Sequence, residues 1–185
     1  MYVLQKNKWL VAAGFGTVAA ATAAYLFWPK KGTPGNASVV QPFDLERYLG
    51  KWYEIARLPN KVEDGVQSLT ETYTRGGDGL VNVITRAFDI QKKLWVKAAG
   101  SIKLAARQNL GKLKVSYFGP FYFAYNILDI DDGYRWALVS GSSLNQLWIL
   151  SRETTIPEVI KERFLHHARG VGFDIDQLEW PATGG

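Results

Sequence analysis

From residue 51 to residue 151 the chain is a series of short aromatic and β-branched segments, most of them ended by Gly, Asp or Ser. The segments are 51–57, 68–74, 80–89, 94–104, 112–118, 123–129, 134–140 and 146–151. Such side chains suit a pleated, half-buried surface. Turn chemistry divides several of them, at Arg75-Gly76-Gly77-Asp78-Gly79, Asp131-Asp132-Gly133 and Gly141-Ser142-Ser143. Eight strands joined by short hairpins predict an all-β, antiparallel, up-and-down meander. Rolling it into a barrel removes its exposed edges. Eight strands leave an interior wide enough for one small ligand.

The pattern changes after residue 151. Thr154 or Thr155 is suited to cap a helix with Pro157 in its first turn. Residues 157–168 place Val159, Ile160, Phe164 and Leu165 near one stripe, and Gly170 is a stop signal. Residues 173–181 read as a final extended piece.

Before residue 41 the chain has another character. Of the net charge of +5, residues 1–40 supply four, through Lys6, Lys8, Lys30 and Lys31 with no acid. The rest is nearly neutral, so the basic excess flanks an apolar segment and gives no sign of a nucleic-acid partner. Residues 9–28 carry no charge and begin and end with Trp. As a helix they are about 30 Å long, the thickness of a bilayer core. Residues 1–31 therefore read as a transmembrane anchor; a cleaved signal ending near Ala21 or Ala23 is the alternative. Ala12, Gly16, Ala20 and Ala24 recur every fourth position. They are either a packing ridge for a transmembrane protein partner or a consequence of an alanine-rich span. Residues 32–40 read as a linker, 41–181 as the barrel domain and 182–185 as a tail.

The run Gly50-Lys51-Trp52-Tyr53-Glu54-Ile55-Ala56-Arg57 and the run Leu147-Trp148-Ile149-Leu150-Ser151-Arg152 together resemble the signatures of the lipocalins. Lys114-Val115-Ser116-Tyr117-Phe118-Gly119-Pro120-Phe121-Tyr122 and Gly172-Phe173-Asp174 are similar to the bacterial outer-membrane, apolipoprotein D-like subgroup. The resemblance covers about residues 41–181. It implies that Trp52, in its Gly50-x-Trp52 motif, closes the base of the barrel with Arg152 across its ring. It also implies that the C-terminal helix packs outside the barrel. One feature departs from the subgroup, whose bacterial members usually carry a lipid-bearing Cys. This sequence has no Cys. A transmembrane helix in its place implies an inner-membrane anchor with the barrel in the periplasm.

Alternation assigns the interior. If Trp52 faces in, so do Glu54 and Ala56. Arg152 shares parity with Leu150, Trp148 and Gln146. Lys112 and Lys114 face water, so Leu113, Val115 and Tyr117 face inward. The family register implies that Tyr73 and Thr85 face in, with Val83 and Ala87, and that Trp148 lines the pocket. Such a cup suits acyl chains, with polar groups orienting a head group. From residue type alone, the same side chains equally describe a solid core. Glu71 has the parity of Tyr73. It either pairs with Arg57, Arg86 or a ligand amine inside, or reaches solvent where the strand bulges.

The sequence offers no convincing acid–base set. His166 and His167 diverge on the helix, and there is no nucleophile elbow or phosphate-binding loop. Asp129, Asp131 and Asp132 suit turn solvation better than calcium. The expected function is a membrane-anchored lipocalin, without cofactor or metal, that holds fatty acids, lysophospholipids or similar amphiphiles. The alternative is an accessory subunit of a larger membrane complex; a lipocalin-type enzyme is disfavoured.

Overall fold

The computed structural model describes residues 32–60, 63–77, 80–105 and 109–182. Eight strands form one closed barrel: β1 (Gly50–Arg57), β2 (Val66–Arg75), β3 (Val81–Asp89), β4 (Leu94–Leu104), β5 (Lys112–Phe118), β6 (Phe121–Ile130), β7 (Trp136–Ser140) and β8 (Leu147–Ser151). Each pairs antiparallel with its sequence neighbour, and β1 closes on β8. A one-turn helix α1 (Leu45–Tyr48) precedes the barrel, and α2 (Glu158–Val171) follows it.

Because every connection is a hairpin, the two ends of the barrel differ. One end holds the β2–β3, β4–β5 and β6–β7 turns. Here α1 lies across the opening. Asp44 caps it, accepting from the Glu46 N–H, and Arg47 reaches the Asp132 carbonyl. The other end holds the β1–β2, β3–β4, β5–β6 and β7–β8 turns and is the open end.

The barrel wall separates two large apolar clusters, and a third, smaller one joins Val66, Leu69 and Ala87, with Val96 packed on it. The inner one contains Trp52, Tyr73, Val83, Ile102, Leu113, Tyr125, Ile127 and Leu150. The outer one lies between the wall and α2 and contains Leu138, Ile149, Phe164, Ala168 and Phe173. The stripe of α2 runs through Ile160, Phe164, Ala168 and Val171, so Val159 falls off it and is 71% exposed. Pro157, not Thr154 or Thr155, stands at the N-cap. The helix passes through Gly170 and ends at Gly172, whose left-handed φ of 106° lets its N–H reach the Ala168 and Arg169 carbonyls. The tail forms a 3₁₀ turn at Ile175–Gln177. Glu179 then bridges Arg57 at the end of β1.

Residues 32–43 run along the barrel and do not stand off as a free linker. Val40 donates to the Ile127 carbonyl and accepts from the Gly111 N–H. The Asn126 amide donates to the carbonyls of Gly32 and Gly141. Gly141 begins the β7–β8 turn, so Gly32 itself lies toward the open end. Among the described residues no helix is long and apolar enough to cross a membrane. The segment 1–31, with Ala12, Gly16, Ala20 and Ala24, lies outside the described residues.

Candidate functional site: the barrel interior

The closed end is packed solid. The Arg152 guanidinium lies 3.8 Å from the centroid of the Trp52 ring. It also donates to the carbonyls of Arg47, Tyr48, Lys51 and Tyr134. Trp52 is fully buried, and its Nε1 donates to the Tyr48 carbonyl at 2.9 Å. Tyr48, carried on α1, stacks on Trp52 with centroids 4.8 Å apart and shares a 2.8 Å hydroxyl hydrogen bond with Tyr125. Tyr125 is joined in turn to Tyr73 at 2.8 Å. Burial pushes all three phenols far above their ordinary titration range, so they act as neutral donors and acceptors. Gly50 has φ +98°, and a Cβ there would lie 3.1 Å from Arg152 Nη1. Glycine is needed at this corner for both reasons.

Toward the open end the burial of inward side chains changes. Val81, Val83, Ile102, Leu113, Tyr125, Ile127 and Leu150 are sealed. Glu71, Thr85, Val96, Ala98, Val115, Tyr117, Phe123 and Trp148 also point inward by register, yet each keeps part of its surface. Val115, Tyr117 and Trp148 pack with one side on the inner cluster, and Val96 packs on Val66, Leu69 and Ala87; their remaining surface is accessible. The barrel is sealed at its base and more openly packed above it, and this upper interior is the candidate hollow. Of the residues expected inside, Thr85, Val115, Tyr117 and Trp148 face this hollow. Tyr73 and Val83 belong to its packed floor.

Three sequence expectations change. The pairing between β1 and β8 shifts between Glu54 and Ala56. Beyond this bulge Ala56 sits opposite Ile149 on the outer face under α2, and Arg57 sits opposite Trp148 on the inner face. Gln146 is not a wall residue. Its Oε1 accepts from the Ser142 N–H at 3.0 Å and the Ser143 hydroxyl at 3.2 Å, which fixes the β7–β8 turn, and β8 begins only at Leu147. Glu71 does not reach the solvent rim. The bulge of β2 falls earlier, between Gln67 and Thr70 where Ser68 has φ 54°, and so leaves Glu71 inside.

The wall of the hollow is polar at chosen points. Glu71 accepts from the hydroxyls of Tyr73 and of Tyr117, the latter at 3.2 Å. Tyr117 and Thr85 hydroxyls are 2.6 Å apart. Trp148 Nε1 donates to Glu63 Oε2 at 3.1 Å, on the β1–β2 loop over the mouth. Arg57 Nη1 donates to Glu54 Oε1 at 2.7 Å, and its Nη2 donates to the carbonyls of Glu63 and Val66. Burial raises the carboxyls of Glu54, Glu63 and Glu71 above the ordinary carboxylate range, Glu54 most strongly; the charge of Glu63 adds to the rise at Glu54 and Glu71. Burial alone would weaken the Arg57 cation, but Glu54, Glu63 and Glu179 together outweigh it and the net shift is upward. Glu63, Val96, Ala98 and Phe123 belong to this wall and were not singled out from sequence. Period-2 alternation was a sufficient signal for Val96, Ala98 and Phe123, whereas Glu63 lies on a loop where alternation does not apply.

Asp131 is committed to the β6–β7 turn. It accepts from the backbone N–H groups of Gly133, Arg135 and Trp136. Burial opposes its ionisation, but those N–H groups prevail and hold the carboxyl below its ordinary value. His167 lies 3.4 Å from Asp129 on the outer surface, far from the hollow in the fold.

Comparison with known proteins agrees with this geometry. Residues 43–183 match the model of the lipocalin-like domain. The chain is 41% identical to outer membrane lipoprotein Blc of Citrobacter freundii and of Escherichia coli K12, over 165 residues that cover 88% of this chain and 93% of each relative. It is 32% identical over 149 residues to temperature-induced lipocalin-1 of Arabidopsis thaliana, covering 76% of this chain and 79% of that one. Among solved structures, insecticyanin from the tobacco hornworm Manduca sexta superposes with a TM-score of 0.68 at 19% identity, over 82% of this chain and 87% of that one. With the closed eight-stranded barrel and the Trp52–Arg152 stack, these matches show that the chain belongs to the lipocalin family.

Proposed function

We propose that the protein is a membrane-associated carrier that takes a single-chain amphiphile, such as a fatty acid or lysophospholipid, into the upper half of the barrel. It is a binding protein and not an enzyme, in keeping with its family. The observation that carries this reading is the gradient of burial: a sealed floor at Trp52, Tyr73 and Ile102 beneath the partly accessible Thr85, Val115, Tyr117 and Trp148. Each methylene removed from water in such a hollow contributes about 0.8 kcal/mol.

Two further observations support exchange with a bilayer. Ile90, Leu94, Trp95, Phe118, Phe121 and Leu144 are 40–50% exposed, and all stand at the tips of open-end hairpins. Lys92, Lys93 and Lys97 lie beside them on the β3–β4 hairpin. A large apolar surface edged with cations suits an anionic lipid surface. Gly32 also lies toward the open end, beside Gly141, which supports an anchor in residues 9–28 that keeps the mouth near its membrane. We assign that membrane to the inner membrane, with the barrel in the periplasm, since the sequence contains no Cys to carry a lipid.

Native mass spectrometry of the full chain, purified in detergent and then stripped of it, tests this proposal. A mass increment of one single-chain lipid per chain is expected. Persistent absence of any adduct after incubation with lysophospholipid vesicles overturns it.

A further inference from the structure

The hollow is acidic. Among the described residues, the charged side chains directed into it or over its mouth are Glu54, Glu63, Glu71 and Arg57. The single guanidinium is engaged through both terminal nitrogens, while its Nε makes no hydrogen bond and lies 3.4 Å from Glu179. Its Nη1 is held by Glu54 and its Nη2 by the Glu63 and Val66 carbonyls at 3.0 Å each. Glu63 accepts from the Asn60 amide and the Trp148 indole. Glu71 is different, because the hydrogen bonds it accepts come from phenols, Tyr73 and Tyr117, and not from a cation. The residue as a whole is only partly buried, so a guest entering the upper barrel can approach it.

This arrangement discriminates between head groups. A fatty-acid carboxylate beside Glu71 places two acids together in a site of low dielectric, which disfavours ionising both. It also finds the nearby phenolic donors already committed to Glu71. An ammonium supplies the donors and the charge that Glu71 lacks. Tyr117, which is only partly buried, adds an electron-rich ring face, which attracts cations. Thr85, opposite Glu71 in the β2–β3 register and 2.6 Å from the Tyr117 hydroxyl, extends the polar wall.

We propose that Glu71, flanked by Tyr73, Tyr117 and Thr85, receives the protonated amine of a single-chain amphiphile, so that the hollow prefers long-chain amines to fatty acids of equal length. The inference rests on the reading of the hollow as an amphiphile site and adds the chemistry of the head group.

The test is a set of calorimetric titrations of the full chain in detergent with dodecylamine, dodecanoic acid and dodecanol, each below its aggregation concentration. In the wild type, dodecylamine binds at least about tenfold more tightly than dodecanoic acid, a difference of about 1.4 kcal/mol. Glu71→Gln lowers the amine affinity about tenfold and leaves dodecanol within twofold. Equal binding of amine and acid in the wild type overturns the head-group proposal while leaving the amphiphile site intact, as does an unchanged amine-to-acid ratio in Glu71→Gln. Failure of all three ligands to bind removes the amphiphile reading and this proposal with it. The wild-type comparison decides the matter even where the variant does not fold.

Discussion

Arg152 binds the two ends of the chain together at one point. Its guanidinium lies over the Trp52 ring at 3.8 Å and donates to four backbone carbonyls, three from residues 47–51 and one from Tyr134. The planar fork is matched to that set; an ammonium on a flexible stem is not. Arg152→Ala removes this donor from four carbonyls, of which that of Tyr48 keeps the Trp52 indole; each loss costs about 1–3 kcal/mol where water does not replace the bond. We predict a loss of about 3 kcal/mol in urea unfolding, with Arg152→Lys recovering less than half. A change under 1 kcal/mol in Arg152→Ala would remove the stack as the closure of the base.

Gly100 should be intolerant of any side chain. A Cβ there would sit 2.5 Å from the Ser116 carbonyl and 2.9 Å from the Tyr117 ring. The backbone oxygen cannot move without breaking the β4–β5 pairing. Gly100→Ala is expected to destabilise by about 1–3 kcal/mol through overpacking. It should also weaken acyl-probe binding, because Tyr117 is displaced into the hollow. Thermal unfolding and fluorescence titration measure the two effects separately.

The raised carboxyl of Glu71 makes a pH prediction whose sign is fixed. The folded state binds this proton more readily than the unfolded chain does. Its contribution to stability is therefore full below the ordinary carboxylate value and declines as pH rises toward the folded value. Glu54, Glu63, Tyr73 and Tyr117 surround the same region, and the two acids shift in the same direction. Glu71→Gln should therefore gain in Tm relative to wild type between pH 4 and pH 7. A Tm difference that shrinks over that interval contradicts the assignment.

The rim and the hollow should separate experimentally. Phe118→Ser with Phe121→Ser removes two half-exposed rings from one open-end hairpin. Transfer of a fluorescent lysophospholipid out of vesicles is expected to slow about tenfold, since full burial of one such ring contributes roughly 1.5–3 kcal/mol. Affinity for the same lipid presented as a monomer should stay within twofold. Equal loss in both assays would place these rings in the ligand site instead.

Strand number, order and closure were legible because they follow from turn chemistry and side-chain type. The parity of Thr85, Val115 and Trp148 was legible because no bulge precedes them within their own reading frame; Tyr117 faces inward although the β5–β6 register shifts between Val115 and Phe118. Ala56 was misplaced because one bulge after Glu54 reverses every later side chain on that strand. Nothing in Glu54-Ile55-Ala56 announces that bulge. Gln146 has the parity of Trp148, but its amide closes a turn whose geometry depends on Ser142 and Ser143. The level at which packing ends and space begins depends on Tyr48 reaching up from α1 to Tyr125 and Trp52. That is a tertiary contact which alternation cannot encode.

Titration of the full chain with a fluorescent acyl probe tests the central claim most directly, with the wild type set against Trp148→Arg. Trp148 borders the hollow and holds Glu63 over the mouth. The structure predicts saturable binding of one probe per chain and at least a tenfold loss on placing a guanidinium in the wall. Binding that never saturates, or an unchanged affinity in Trp148→Arg, would mean that no guest occupies the hollow.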